Sequence, residues 1–394
     1  MKNISTKKII FIVCTFPIKK ERDQFITHIP IRIKKILGEN IEVFFLYAGS
    51  IKEDILISNE IFPIRLFDTK LNISGNFFIK QIFQQLFIIH LFFKLKNEIK
   101  KKQPDLIINM NLHLYNFVFG ILGKLYDIKT VARITGDHFY KKPKTLSNFL
   151  LHKYKKFLEI VSLKTMDKII CLSNDLAKKL PKKQTIQNKI EVASPGIEIK
   201  NFSSSENVNK DIDIIFIGRM EPIKNLDYAL KIFKELKNKH PSINFHLFGT
   251  GSELQSLKEM HKDDPNIVFH GEIPHNEIVN YLHRSKVLLL VSHSEGFPNV
   301  VLEAMLCRVL VAVTPISDMV NIIGDNKNGI LLENNKPVES AEIISKFLQN
   351  DKKHKEITEN AFHYTKENHS YDALRKKYQR ILLEEKSNVK KINK

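Results

Sequence analysis

The stretch VLLLVSHSEGFPNVVLEAMLCRVLVAVT, residues 287–314, decides the fold. An unbroken aliphatic run passes through a short polar loop into an aliphatic helix, and a second aliphatic run follows. Strands that are apolar on both faces belong to a parallel sheet covered on both sides, so the stretch reads as one β-α-β unit. The same alternation extends outward. DIIFIG (213–218), NFHLFG (244–249) and NIVFHG (266–271) precede it in the second half. KIIFIV (8–13), IEVFFLY (41–47), DLIINM (105–110), TVARIT (130–135) and KIICLS (168–173) form a like series in the first half. Two doubly wound α/β sheets, each Rossmann-like, are therefore expected. Residues 196–212, GIEIKNFSSSENVNKDI, are rich in Ser and Asn and read as the linker. The expected division is 1–200, 201–370, and a terminal helix from 371 to 394 that crosses back to the first domain.

Composition agrees with two folded domains. The chain has 394 residues, 43% hydrophobic and 27% charged, enough for two cores. A disordered chain, a collagen-like repeat and a disulfide miniprotein are excluded. Cys14, Cys171 and Cys307 lie far apart with no CxxC, so neither a thiolate zinc site nor a disulfide framework is signalled, and the chain reads as cytosolic. No apolar run reaches the roughly 18–20 residues that span a bilayer. The N-terminal KKIIFIVCTF is followed at once by KKERD and has no small-residue cleavage site, so residues 9–14 read as a first strand.

Charge is unevenly placed. Residues 1–200 carry 35 Lys and Arg against 17 Asp and Glu; residues 201–394 carry 27 against 26. Either compositional drift or an anionic partner of the first half explains the excess. FFIKQIFQQLFIIHLFFKLKN (77–97) is apolar nearly all round after Gln85, apart from His90, and is flanked by Lys94, Lys96, Lys100, Lys101 and Lys102. It reads as a buried core helix or as a helix lying in a membrane interface.

The loop and helix SEGFPNVVLEAM (294–305) carry the densest chemistry. Pro298 suits a helix start and Gly296 permits close backbone approach. Free N–H groups around Phe297, Asn299 and Val300 would then face an anion. Glu303 leans back toward that helix start, and Glu295 stands in the loop before it. Two carboxylates flanking an anion site suit a phosphorylated sugar; a capped surface helix with two solvated Glu is the plainer reading. In FIGRMEPIKNLDYAL (216–230), Arg219 and Lys224 follow a strand end at Gly218, where they could hold a diphosphate. FGTGSE (248–253) adds Gly249 in a strand-end turn; it is not GxGxxG, which argues against a dinucleotide site.

In order and spacing, GRMEPIKN, FGTGSE, HGEIP (270–274) and Glu295 with Glu303 resemble the retaining glycosyltransferases of family 4, which have the GT-B fold. The resemblance covers most of the second half. CTFPIKKERDQF (14–25), CLSNDLAKKL (171–180) and SPGIEIKNF (194–202) extend it more weakly into the first. It implies two Rossmann-like domains facing a central cleft. It also implies transfer of a sugar, with retained anomeric configuration, from a nucleoside-diphosphate sugar, UDP-linked by preference, to an acceptor hydroxyl. Arg219 and Lys224 match the pair that neutralises the departing diphosphate. Glu295 matches the carboxylate on the donor sugar, and Glu303 the one on the ribose. Gly218, Gly249, Ile273, Gly296, Phe297, Pro298, Asn299 and Val300 complete the implied donor site. No metal or other cofactor is implied.

The sequence departs from the family where HGxD is frequent. RITGDHF (133–139) stands there instead, leaving Arg133, Asp137 and His138 as acceptor-site candidates. Arg308, Leu310 and Asn321 also depart from family habit. The basic first half, where the acceptor would bind, suggests a glycan or lipid-linked glycan on an anionic membrane. The expected setting is cell-surface polysaccharide, capsule or lipopolysaccharide synthesis on the cytoplasmic face of the inner membrane. A soluble transferase with a small acceptor and a nucleotide-sugar 2-epimerase of the same fold are the alternatives. A nucleic-acid binder is suggested by charge alone and has no motif to support it.

Overall fold

Seven parallel strands form one sheet in the computed structural model, which describes residues 7–18, 23–49, 51, 53–67, 77–110, 117–135, 146–202, 208–324 and 327–384. They are β1 (Lys8–Ile18), β2 (Ile41–Gly49), β3 (Ile61–Phe67), β4 (Leu106–Met110), β5 (Lys129–Ile134), β6 (Lys168–Cys171) and β7 (Ile190–Val192), in spatial order β3-β2-β1-β4-β5-β6-β7. Six further parallel strands form a second sheet: β8 (Ile212–Ile217), β9 (Phe245–Phe248), β10 (Ile267–Gly271), β11 (Ser285–Leu290), β12 (Leu310–Val313) and β13 (Ile330–Leu331). Their order is β10-β9-β8-β11-β12-β13. Both sheets are doubly wound, because the strand order reverses once in each, beside β1 and beside β8.

The aliphatic runs explain the central strands. Every residue of β4, β5 and β12 is buried, as strands covered on both faces require. Three strands escape the sequence pattern. β3 contains Pro63, which cannot donate to a ladder and is tolerated here on a sheet edge. β7 and β13 are short edge strands of three and two residues. Such edges need little hydrophobic pattern.

The chain divides into one unit of Met1–Ser194 with Leu374–Lys394 and another of Pro195–Ala373. The expected linker therefore begins inside the second unit. Ile197 pairs with Ser370, and Phe202 is buried in the second core. The helix Tyr371–Leu383 enters the first unit at Leu374. There the Tyr378 hydroxyl donates to the Ser194 carbonyl at 2.8 Å, and Arg380 pairs with Glu191 at 2.9 Å. Lys129 donates to the Glu384 carbonyl at 2.7 Å.

The long basic segment is a helix, Phe77–Lys102. Leu91, Leu95 and Ile99 are buried, while Ile89, His90 and Phe93 are exposed, so over this part the helix is one-sided. Side chains of residues 77–87 lie outside the described ones. Among the described residues, no helix is long and apolar enough to cross a membrane. Cys14, Cys171 and Cys307 are buried; burial pushes the Cys171 and Cys307 thiols up to about 12, which suppresses thiolate chemistry.

Candidate active site

β8 and β11 are neighbours at the reversal point of the second sheet, where open α/β sheets bind ligands beyond their carboxyl ends. The chain leaves β8 through Gly218 and Arg219 into a 3-10 turn, Pro222–Lys224. Asn225 ends this turn in the left-handed region at φ 55°, which Asn tolerates, and the helix Leu226–Lys239 begins behind it. The loop after β11 meets this turn. The His293 N–H donates to the Ile223 carbonyl at 2.8 Å, and Lys224 Nζ donates to Glu295 Oε1 at 2.5 Å. The two residues lie 71 positions apart in sequence and form a pair only 15% and 12% exposed.

Glycines let a third loop lie against the first. Gly249 has φ 128°, and a Cβ there would overlap the Gly218 carbonyl. A Cβ on Gly251 would overlap the Met220 carbonyl. The contact is sealed by the Met220 N–H donating to the Thr250 carbonyl at 2.8 Å. Backbone packing thus accounts for the FGTG pattern. Ile273, in the loop after β10, is half-buried against the same core.

The third wall is the helix Asn299–Leu306 and the loop before it. Pro298 sits one place earlier than a first-turn proline, at the cap. Among the described residues, the N–H groups of Gly296, Phe297, Asn299 and Val300 donate to no protein acceptor. A helix start in this state favours an anion. Ser317 Oγ holds the Gly296 carbonyl at 3.1 Å, fixing the loop. The Asn299 side-chain oxygen is buried without a partner. Phe297 packs half-buried on the core, 6.1 Å from the His369 ring.

Every other residue of that helix after Val300 is apolar, and Glu303 is buried among them. His275, the first residue of the helix His275–His283, places Nε2 3.1 Å from Glu303 Oε1. Arg219 is exposed, and among the described residues its guanidinium makes no hydrogen bond. The site therefore combines a free cation, a paired cation, an unsatisfied helix start and two carboxylates of low exposure.

In the first unit, Arg133 is the next-to-last residue of β5 and is 3% exposed. Among the described residues its Nε and Nη1 have no partner, and the Tyr378 side chain lies nearby. Burial, with Arg32 nearby, pushes it down to about 10 against the pull of Tyr378. Asn109, near the end of β4, is fully buried, and among the described residues both its side-chain polar atoms are unpartnered. Asp137 and His138 lie outside the described residues. Sequence reasoning passed over Ser292 and His275. Ser292 stands three places before Glu295, and His275 directly follows HGEIP, so proximity to the motifs was the available signal.

Comparison with known proteins decides the family. A model of the Glycosyl transferases group 1 matches residues 198–364, and a model of Glycosyltransferase Family 4 matches residues 72–201. The chain is a family 4 glycosyltransferase. This glycosyltransferase is 24% identical over 291 residues to an uncharacterized glycosyltransferase of Methanocaldococcus jannaschii, covering 70% of this chain and 74% of the relative. Its GT-B fold matches a glycosyltransferase of Rickettsia africae with a TM-score of 0.73 at 20% identity, over 95% of this chain and 98% of that one. Anabaena HepE, solved in complex with UDP and glucose, matches with a TM-score of 0.69 at 15% identity over the same shares, 95% and 98%.

Proposed function

We propose that this glycosyltransferase retains anomeric configuration and moves a sugar from a nucleoside-diphosphate donor, UDP-linked by preference, to a saccharide or lipid-linked oligosaccharide. The observation that carries the reading is the meeting of Lys224, Glu295 and the unsatisfied helix start at the reversal point of the second sheet. The difficult event in such a transfer is charge building on the leaving diphosphate. Fixed cations and oriented N–H groups stabilise that charge without reorganising. Arg219 and Lys224 take the diphosphate, the Phe297–Val300 backbone assists, Glu295 meets the sugar and Glu303 the ribose. Gly218, Gly249 and Ile273 complete the donor wall. Because the cations already carry the charge role, donor binding is expected without added metal.

The transfer follows front-face displacement. The bond from the anomeric carbon to the diphosphate oxygen breaks, the acceptor oxygen bonds to that carbon on the same face, and the acceptor proton passes to the leaving phosphate. Glu295, held by Lys224, orients the sugar and forms no covalent intermediate in this scheme.

The acceptor is met by the first unit, with Arg133 near the carboxyl end of β5 and with Asp137 and His138, which follow it in the sequence, as further candidates. An anionic membrane surface is the expected setting, on the cytoplasmic face of the inner membrane and in surface-polysaccharide synthesis. Exposed Ile89 and Phe93, Ile121 and Leu125, and Tyr154 and Phe157 support this reading. They lie on three successive helices, each packed on the next and interspersed with exposed Lys100, Lys101, Lys124, Lys153 and Lys156. Each Lys near such a surface contributes about 1 kcal/mol.

The test is thermal unfolding of the purified protein with UDP, GDP, CDP, ADP and their common sugars in the presence of a chelator. One nucleotide at about 100 times its Kd stabilises the fold by about 2.7 kcal/mol. No shift with any of them sinks the donor reading. Co-sedimentation with vesicles containing anionic lipid, against neutral vesicles, tests the surface; equal binding to both sinks the membrane reading.

A further inference from the structure

We infer that Ser292 and His275 are positioning residues for the two site carboxylates, Ser292 turning Glu295 toward the transferred sugar and His275 turning Glu303 toward the ribose. The inference rests on the nucleotide-sugar reading above. Its observation is a shared asymmetry. Glu295 Oε1 receives both Lys224 Nζ, at 2.5 Å, and Ser292 Oγ, at 2.7 Å. Glu303 Oε1 receives His275 Nε2–H at 3.1 Å. Neither Oε2 has a partner among the described residues. The two side chains are only 12% and 10% exposed, yet neither Oε2 is sealed from solvent. Each carboxylate therefore keeps one accessible, uncommitted oxygen for a hydroxyl-bearing ligand.

The anchors differ in kind. Ser292 is 1% exposed and held at both ends, because its carbonyl accepts from Thr314 Oγ1 at 3.1 Å while its hydroxyl donates to Glu295. Lys224 has three N–H donors and is attracted to an arriving diphosphate. Were Lys224 the sole anchor, Glu295 would follow it. The Ser292 hydroxyl keeps Oε1 occupied while Lys224 is shared, so Oε2 stays aimed at the sugar. His275 approaches Glu303 from another loop, beyond β10, with a side chain 58% exposed. It fixes the carboxylate from the solvent side.

The two roles separate along the ligand. Wild type, Ser292→Ala, His275→Ala and His275→Gln are titrated calorimetrically with UDP, 2′-deoxy-UDP, UDP-glucose, UDP-galactose and UDP-N-acetylglucosamine. The UDP-sugar that wild type prefers over UDP is carried forward. Ser292→Ala is expected to keep UDP affinity within about twofold and to lose about tenfold for that UDP-sugar, the scale of one hydrogen bond to a charged group. His275→Ala is expected to lose about tenfold for UDP and little for 2′-deoxy-UDP, with His275→Gln, which keeps an N–H donor, restoring most of the difference. UDP binding by Ser292→Ala reports that its fold is intact.

Equal loss of UDP and UDP-sugar in Ser292→Ala makes Ser292 a loop-packing residue and overturns its half. An unchanged ratio of UDP to 2′-deoxy-UDP in His275→Ala overturns the other. A wild type that binds UDP but prefers no sugar overturns the aim of Glu295 Oε2. A wild type that binds none of the five probes defeats the UDP-sugar reading itself, a result distinct from the others.

Discussion

The carboxyl edges of the two sheets handle buried polar groups in opposite ways. At the edge of the second sheet, the two site carboxylates are answered within the fold. Lys224 meets Glu295, Ser292 supports it and His275 meets Glu303. At the edge of the first, among the described residues, Arg133 keeps unpartnered N–H groups and Asn109 leaves its whole amide unpaired. Pairing of this kind holds the carboxylates in place before a ligand arrives. A site with unmet donors holds a standing desolvation cost that an anionic or polyol ligand, or water, relieves. The difference teaches that paired carboxylates at the second sheet coexist with polar groups left unpaired, among the described residues, at the first.

Removing Lys224 tests the strongest side of that contrast. Lys224→Ala is expected to lower turnover by about 100- to 1000-fold, as loss of a charge-stabilising donor does. It also strands Glu295 with little exposure, which costs about 3 kcal/mol of stability. Release of nucleoside diphosphate and denaturant unfolding measure the two effects. A loss of turnover under tenfold would break the picture of Lys224 as the charge carrier.

Arg133 is expected to behave in the opposite way. Arg133→Met fills similar volume without a buried charge, so stability should rise by about 1–3 kcal/mol. The Tyr378 hydroxyl still has the Ser194 carbonyl as acceptor. Destabilisation in urea would mean that the guanidinium is satisfied in solution, and the contrast would fail.

The smallest effect concerns pH, and its sign differs between the units. Burial lowers His246, His270, His283 and His354 in the second unit. Their unfolded forms bind protons first, so this unit loses stability as pH falls below about 6.5. Burial pushes Glu159, in the first unit, up to about 8. Its folded form binds the proton more readily, so this contribution is lost as pH rises from about 4.5 through 8. Amide exchange at pH 5.5 and 7.5, corrected for intrinsic rates, should show the second unit weakening on acidification and the first strengthening. Parallel changes in both would remove the distinction.

Much of this was legible along the chain. Aliphatic runs announced the central strands because burial on both faces leaves no room for alternation. The interval from Glu295 to Glu303 and the order of GRMEPIKN before FGTGSE pointed to the second unit. β3 was hidden by Pro63, and β7 and β13 by their brevity. The linker was misplaced because Ser and Asn enrichment in 203–209 drew attention past Ile197 and Phe202, which pack on the second core. Gly249 read as a ligand-facing glycine, yet the neighbouring Gly218 carbonyl already requires it.

The sequence by itself determined the parallel α/β class, the two-unit plan and the residue types available for diphosphate chemistry, because periodicity and motif order are local properties. Only the tertiary structure decided which oxygen of each carboxylate is engaged, that Lys224 pairs with Glu295 across 71 positions, and that Arg133 is buried with donors unmet. Those facts arise where strand ends distant in sequence are brought side by side. Hydrogen bonding there depends on angstrom-scale distances that no spacing along the chain encodes.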